Sequence, residues 1–300
     1  MPLRKDIWRP AIVDRPMADI VAAGSLEGAT LRWLPAMRPY SFLADPFGLW
    51  RDDHLHLFVE RFDYRDRHGV IELLVHDRNL NPIYRRDVLA EPWHLSYPFV
   101  FEADGETWML PEAHRSGCLT LYRATDFPHR WERAVRIELD RLPVDATPFH
   151  HAGLWWLFYT SAENRRSKIE QLHVAYAERL TGRWRPHPAN PVRVDPGSSR
   201  PGGTPILHAG RIHLPVQDCT RTYGGALRML AIERLTPDRF AAEEMPPIGL
   251  PPGLAPFDEG MHTMAAAGPV TLIDVKRTRL SFHGLAIEAG REMRRFLAQG

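Results

Sequence analysis

Residues 200–218 read RPGGTPILHAGRIHLPVQD. Glycines and prolines at the start, Pro201 to Pro205, lead into a short apolar run. A turn follows at Gly210, and an alternating strand ends on Gln217-Asp218. The same grammar occurs four more times: DPFGLWRDDHLHLFVE at Asp45–Glu60, YPFVFEADGETWMLPE at Tyr97–Glu112, DATPFHHAGLWWLFYTS at Asp145–Ser161 and GMHTMAAAGPVTLIDVKR at Gly260–Arg277. The turn anchors are Asp53, Gly105, Gly153, Gly210 and Gly268, spaced 52, 48, 57 and 58 residues apart. A period of that length, built from short strands and turns, indicates a β-propeller.

Between these hairpins lie further alternating stretches, Ile71–Leu89, Leu119–Ile137, Gln171–Pro188 and Ala226–Glu244. They supply two more strands per unit. The expectation is an all-β, five-bladed propeller with four-stranded antiparallel blades. The units fall near residues 45–95, 96–142, 143–195, 196–250 and 255–283 of a single 1–300 domain. The first forty residues are expected to add a closing strand, and Gly284–Gly300 a short C-terminal helix.

Composition agrees. The 300 residues are 44% hydrophobic, with 27 Pro and 9 Trp, which favours many short strands over long helices. A net charge of +1 gives nucleic-acid binding no electrostatic support. Two cysteines, Cys118 and Cys219, make no disulfide framework. The N-terminus lacks a signal peptide's apolar core, and no apolar run is long enough to span a bilayer, so a cytoplasmic location is expected. The pairs His54/His56 and His150/His151 lack a third ligand in sequence, so no metal site is assigned to them.

Repetition also places residues at equivalent positions. Asp45, Tyr97, Asp145, Arg200 and His262 start the innermost strands. Glu60, Glu112, Thr160, Gln217 and either Asp274 or Val275 end the second strands. In a propeller these rows converge on the axis. Paired carboxylates there suit glycosidic acid–base chemistry. The candidate catalytic residues are Asp45, Asp145 and Glu112. Glu60, Tyr97, Arg200, Gln217, Asp218, His262 and Trp93 are the candidate substrate-binding residues. No cofactor is assigned; an axial metal ion or a water beside His262 is left open.

The motifs ADPFGLW, HLSYPFVFEADGETWMLPEA, LYRATDFPHRWE, DATPFHHAGLWWLF, SSRPGG, QDCTRTYGGAL and GMHT occur here in order. As a set they resemble the propeller domain at the N-terminus of glucosamine inositolphosphorylceramide transferases, whose bacterial homologues stand alone or beside sugar-modifying enzymes. More remotely, the architecture is similar to family 43 and family 32 glycoside hydrolases. That similarity implies Asp45 as catalytic base, Asp145 as the carboxylate that orients the acid, and His262 as the axial histidine. The fourth blade departs: Ser199 to Gly203 hold Arg200 and no Glu where the general acid belongs.

The expected function is a carbohydrate-active propeller with a glycoside-hydrolase-like acid–base site. One alternative is a non-catalytic glycan or sugar-nucleotide binding module assisting a transferase. Another is a tailoring cyclase, lyase or isomerase for a small natural product. The expected partners are a small-molecule or glycan substrate and a sugar-modifying enzyme.

Overall fold

The computed structural model describes residues 4–280 and 282–297. Five antiparallel sheets surround one axis. Blade one runs through Ser41–Arg51, His54–Asp63, His68–His76 and Pro82–Leu89, and blade two through Ser96–Ala103, Glu106–Glu112, Leu119–Asp126 and Arg130–Ile137. Blade three begins with Pro143–His151, Leu154–Ser161 and Gln171–Ala177; its outer edge is reduced to the fragments Arg185–Pro186 and Arg193–Val194. In blade four the innermost strand is broken into Arg200–Pro201 and Ile206–His208, followed by Arg211–Asp218, Ala226–Leu235 and Phe240–Pro247. The break follows from Gly202-Gly203-Thr204-Pro205, where Pro205 has no N–H to give the ladder.

Blade five mixes the two ends of the chain. Its innermost strands are Met261–Ala267 and Val270–Leu280, and its outer pair is Arg4–Val13 and Leu31–Trp33. Arg4–Val13 pairs with Val270–Leu280 over ten residues, with Trp8 opposite Lys276. A short helix, Met17–Ala23, links the two N-terminal strands, and a C-terminal helix covers Phe282–Leu297.

The anchors mark two-residue hairpin turns. Asp52-Asp53, Asp104-Gly105, Ala152-Gly153 and Ala209-Gly210 all have φ between 49° and 77°, the backbone sign that a type I′ hairpin demands at both central positions. Burial falls outward along each blade. Leu55, Leu57, Phe58 and Val59 on blade one's second strand are fully buried, whereas Pro82–Arg86 of its outer strand are exposed. The core is therefore packed between blades: Leu57 and Leu74 join Met109 and Leu272 in one cluster, and Trp156 joins Leu214 and Leu230 in another. Each such side chain contributes about 1.5–3 kcal/mol by leaving water.

Candidate functional site

Three innermost strands carry the same irregularity. Pairing slips between Ala44 and Phe47, between Ser96 and Phe99, and between Val144 and Thr147. The first extra residue at each slip is Asp45, Tyr97 or Asp145, with φ of 49°, 45° and 50°. A bulge of this kind turns one side chain out of the sheet's alternation. Here it turns each toward the axis. Asp tolerates this left-handed conformation, whereas for a bulky Tyr it is a strained outlier. Blade five slips once, between Met261 and Thr263, and so releases His262.

The released side chains form one network across all five blades. The Asp45 backbone N–H donates to Asp274 Oδ2 at 2.8 Å. Asp45 in turn accepts from the Tyr97 N–H at 3.1 Å and the Thr263 hydroxyl at 2.9 Å. The Tyr97 hydroxyl lies 2.9 Å from Thr147 Oγ1 and accepts from the Gly203 N–H at 2.7 Å. Asp145 accepts from Arg200 Nε at 2.7 Å and Gln217 Nε2 at 3.1 Å. Gly203 closes the circuit: at φ 143°, a Cβ there would stand 1.8 Å from the Met264 carbonyl oxygen. At this point blades four and five touch backbone to backbone.

In blade five Val275 holds the register position of Glu60 and Glu112, pairing with Met261, but the polar group that joins the network is its neighbour Asp274. Its Oδ1 accepts from the Thr263 N–H at 3.0 Å and faces His262 Nδ1 at 2.6 Å. The other ring nitrogen of His262 lies 3.3 Å from Asp45 Oδ1. Burial opposes charge on His262, but Asp274 and Asp45 outweigh it and the pKa is raised. For Asp45, burial is the larger effect, and despite His262 the pKa rises to about 6. Asp45, His262 and Asp274 also form the one candidate metal cluster found among the described residues. All four carboxylate oxygens of that cluster accept protein donors.

Above this network lies a cavity of about 300 Å3. Its lining includes Asp45, Glu60, Glu112, Asp145, Arg200 and His262, all proposed from sequence. Burial raises the Asp145 pKa while Arg200 pulls the other way; the guanidinium keeps its charge, so this is an ion pair. Glu112 Oε1 accepts from the His114 N–H at 3.1 Å and contacts the His114 ring, whose other nitrogen is 3.0 Å from Lys168 Nζ. Glu60 is raised well above an ordinary glutamate, first by burial and then by Asp45, Asp274, Asp145 and Glu112.

Four of the sequence candidates lie outside the lining. Tyr97 and Gln217, each 1% exposed, are scaffold beneath the cavity floor. Asp218 falls on the opposite face of its strand from Gln217, as alternation requires, and lines an outer groove with Arg228 and Glu259. Trp93 packs against the core of blades one and two, 4.9 Å under the Arg133 guanidinium.

The sequence reading missed the cavity's walls. Trp8 stacks on His262, with ring centroids 3.6 Å apart and planes at 13°. Tyr223 meets the same imidazole edge-on at 5.4 Å and lies 5.1 Å from the Arg200 guanidinium. Buried Lys276 fastens the two, sitting 5.4 Å from the Trp8 ring and donating to the Tyr223 carbonyl. Gly224 fits here because a Cβ would stand 2.7 Å from both Trp8 and His262. Phe62, Tyr64, Arg67, His114, Lys168 and Tyr223 complete the wall. All but Phe62, which lies within the second strand of blade one, follow the second strand of their blade, and antiparallel connection brings that loop to the end where the innermost strand begins. That regularity points to the loops, though not to the residue within each.

The family described as glucosamine inositolphosphorylceramide transferase 1, N-terminal, matches residues 13–249. This chain belongs to that family. Glucosamine inositolphosphorylceramide transferase 1 of Arabidopsis thaliana is 35% identical over 249 residues, which is 81% of this chain and 31% of that protein. The counterpart in Oryza sativa subsp. indica is 35% identical over 208 residues, 67% of this chain and 28% of that protein. The chain thus spans about a third of the length of these relatives. Among solved structures, the catalytic domain of the Coprinopsis cinerea GH62 α-L-arabinofuranosidase matches with a TM-score of 0.59 at 10% identity, covering 81% of this chain and 93% of that one. Zg3597, a family 117 glycoside hydrolase of Zobellia galactanivorans, matches with a TM-score of 0.55 at 14% identity, covering 81% and 86%. At such identities the likeness is one of fold.

Proposed function

We propose that this propeller takes one sugar unit of a glycoconjugate into its axial cavity and performs acid–base chemistry on it. The observation that carries the reading is the composition of the cavity. Trp8, Phe62, Tyr64 and Tyr223 line it with aromatic rings around Asp45, Glu60, Glu112 and Asp145 in a volume of about 300 Å3. That is the small end of ligand sites. Flat apolar faces beside fixed carboxylate acceptors suit a ring bearing hydroxyls. The names of the matched transferases and glycoside hydrolases point the same way. Asp45, half ionised near pH 6, is suited to take a proton in the neutral range.

A second reading, sugar binding without turnover, is favoured by Arg200. It sits on blade four, where the resemblance to glycoside hydrolases would put the acid, and it is committed to Asp145 at 2.7 Å.

A panel of sugars, sugar nucleotides and aryl glycosides tests both, with calorimetry for binding and product release for turnover. We expect Trp8→Ala to lose binding and Asp45→Asn to keep binding but lose turnover. Binding without turnover in the wild type establishes the second reading; absence of binding across the panel overturns both. A cytoplasmic location and a sugar-modifying partner enzyme belong to the same proposal, and cell fractionation with co-purification tests them.

A further inference from the structure

Five carboxyl groups line the axial cavity, and their hydrogen bonding divides them unevenly: Asp6, at its edge, accepts from Lys276 and Thr278. Asp45 accepts from the Tyr97 N–H and the Thr263 hydroxyl, Asp145 from Arg200 and Gln217, and Glu112 from the His114 backbone N–H. Glu60 has no protein hydrogen-bond donor among the described residues. It is nonetheless only 6% exposed, and His94 Nε2 stands 3.5 Å from its Oε1. His94 Nδ1 is itself buried without a partner.

From this division we infer that Glu60 is the proton donor of the axial site, standing in for the carboxylic acid that blade four lacks, and that His94 is its positioning residue. The inference rests on the sugar reading above. A buried carboxyl without donors keeps its proton, whereas its donor-bound neighbours are supported as anions; environments that differ in this way assign acid and base roles. The neighbouring carboxyls agree. Asp45 and Asp145 from the innermost strands, and Glu112 and Asp274 from the second strands, all disfavour a charge on Glu60. Across the cavity lie Arg67, Lys168, Arg200, His114 and His262. Arg200 is engaged by Asp145 and Lys168 by His114. His94 is kept neutral by its own burial, at about 4, so it offers Glu60 no positive charge.

The step balances. Glu60 gives its proton to the glycosidic oxygen as the bond from that oxygen to the anomeric carbon breaks. A water oxygen forms the new bond to that carbon and passes one proton to ionised Asp45. Glu60 then regains a proton from solvent, and Asp45 releases one, so the sum is glycoside plus water giving two free hydroxyl compounds.

Infrared difference spectra of wild type against Glu60→Gln read the protonation state directly, whether or not any substrate turns over. We expect a protonated-carboxyl band at pH 7 that is absent from Glu60→Gln, and a titration midpoint for that band that moves in His94→Gln. A wild-type spectrum without the band at pH 7 overturns the inference, as does an unmoved midpoint for the part assigned to His94. Should Glu60→Gln fail to fold, absence of the band from the wild type still overturns the inference, and its shift in His94→Gln assigns it to Glu60 rather than to Asp45 or Asp145. If the panel reveals a substrate, Glu60→Gln is expected to slow alkyl glycosides by about 10^2–10^4-fold. It should slow aryl glycosides with acidic leaving groups far less. Equal slowing of both classes contradicts the donor role. A band present without any turnover would leave Glu60 protonated but refute the enzyme reading, and with it the donor assignment.

Discussion

Asp45→Asn is expected to change stability in opposite senses at low and high pH. The Asp45 carboxyl ionises near 6 in the folded protein, against an ordinary 3.8. A folded-state pKa above the unfolded one supplies stability that is complete below about pH 4 and is lost as the pH rises through 6. At about 1.4 kcal/mol per pH unit, the gap is worth about 3 kcal/mol. Asparagine keeps the shape and does not titrate. It retains one acceptor for Tyr97 or Thr263 and turns an amide N–H toward the other donor, a fixed cost of about 1–3 kcal/mol at every pH. The informative quantity is therefore the variant's stability relative to wild type, which should rise by about 3 kcal/mol between pH 4 and pH 8. In thermal melts this is a relative gain of roughly 5–10 °C. Urea titrations at both pH values provide the check. The same displacement at pH 4 and pH 8 would refute the reasoning, because it would mean that burial does not perturb Asp45.

Arg200→Gln should leave the Asp145 charge buried and unpaired, costing about 3–5 kcal/mol in chemical denaturation. Tyr97→Phe removes the hydroxyl that joins Thr147 to Gly203 and should cost about 1–3 kcal/mol by the same assay, with little change in near-neutral pH dependence. Gly203→Ala should prevent soluble folding, because its Cβ would overlap the Met264 carbonyl; Gly210→Ala, at a hairpin tip with open space, should cost only about 1 kcal/mol and serves as the comparison in expression and melting.

The parts of this molecule that repeat were readable in advance. Asp45, Tyr97 and Asp145 could be aligned because one bulge recurs in three innermost strands, and Glu60, Glu112 and Gln217 because the hairpin turn fixes the distance to the strand end. What did not repeat stayed hidden. Trp8 comes from the N-terminal strand, and Lys168 and Tyr223 come from loops of unequal length, so no register predicts them. Asp218 shows the limit of register itself: it follows Gln217 by one residue, and on a strand that step reverses the face. The hydrogen bonds that separate Glu60 from its neighbouring carboxyls arise from contacts between blades, which sequence spacing does not encode.

Blade five has a consequence for timing. Trp8 precedes the four other blades in sequence, yet it reaches the cavity wall only by pairing with Lys276, which follows all four. During synthesis, four blades can exist before the cavity has its stacking surface, so a growing chain has little affinity for whatever the finished cavity holds. The dependence also runs in reverse. A ligand seated against Trp8 holds the two ends of the chain together, and at a hundred times its dissociation constant it adds about 2.7 kcal/mol to ring closure. Occupancy would then act as a latch, protecting the terminal strands from fraying and from proteases.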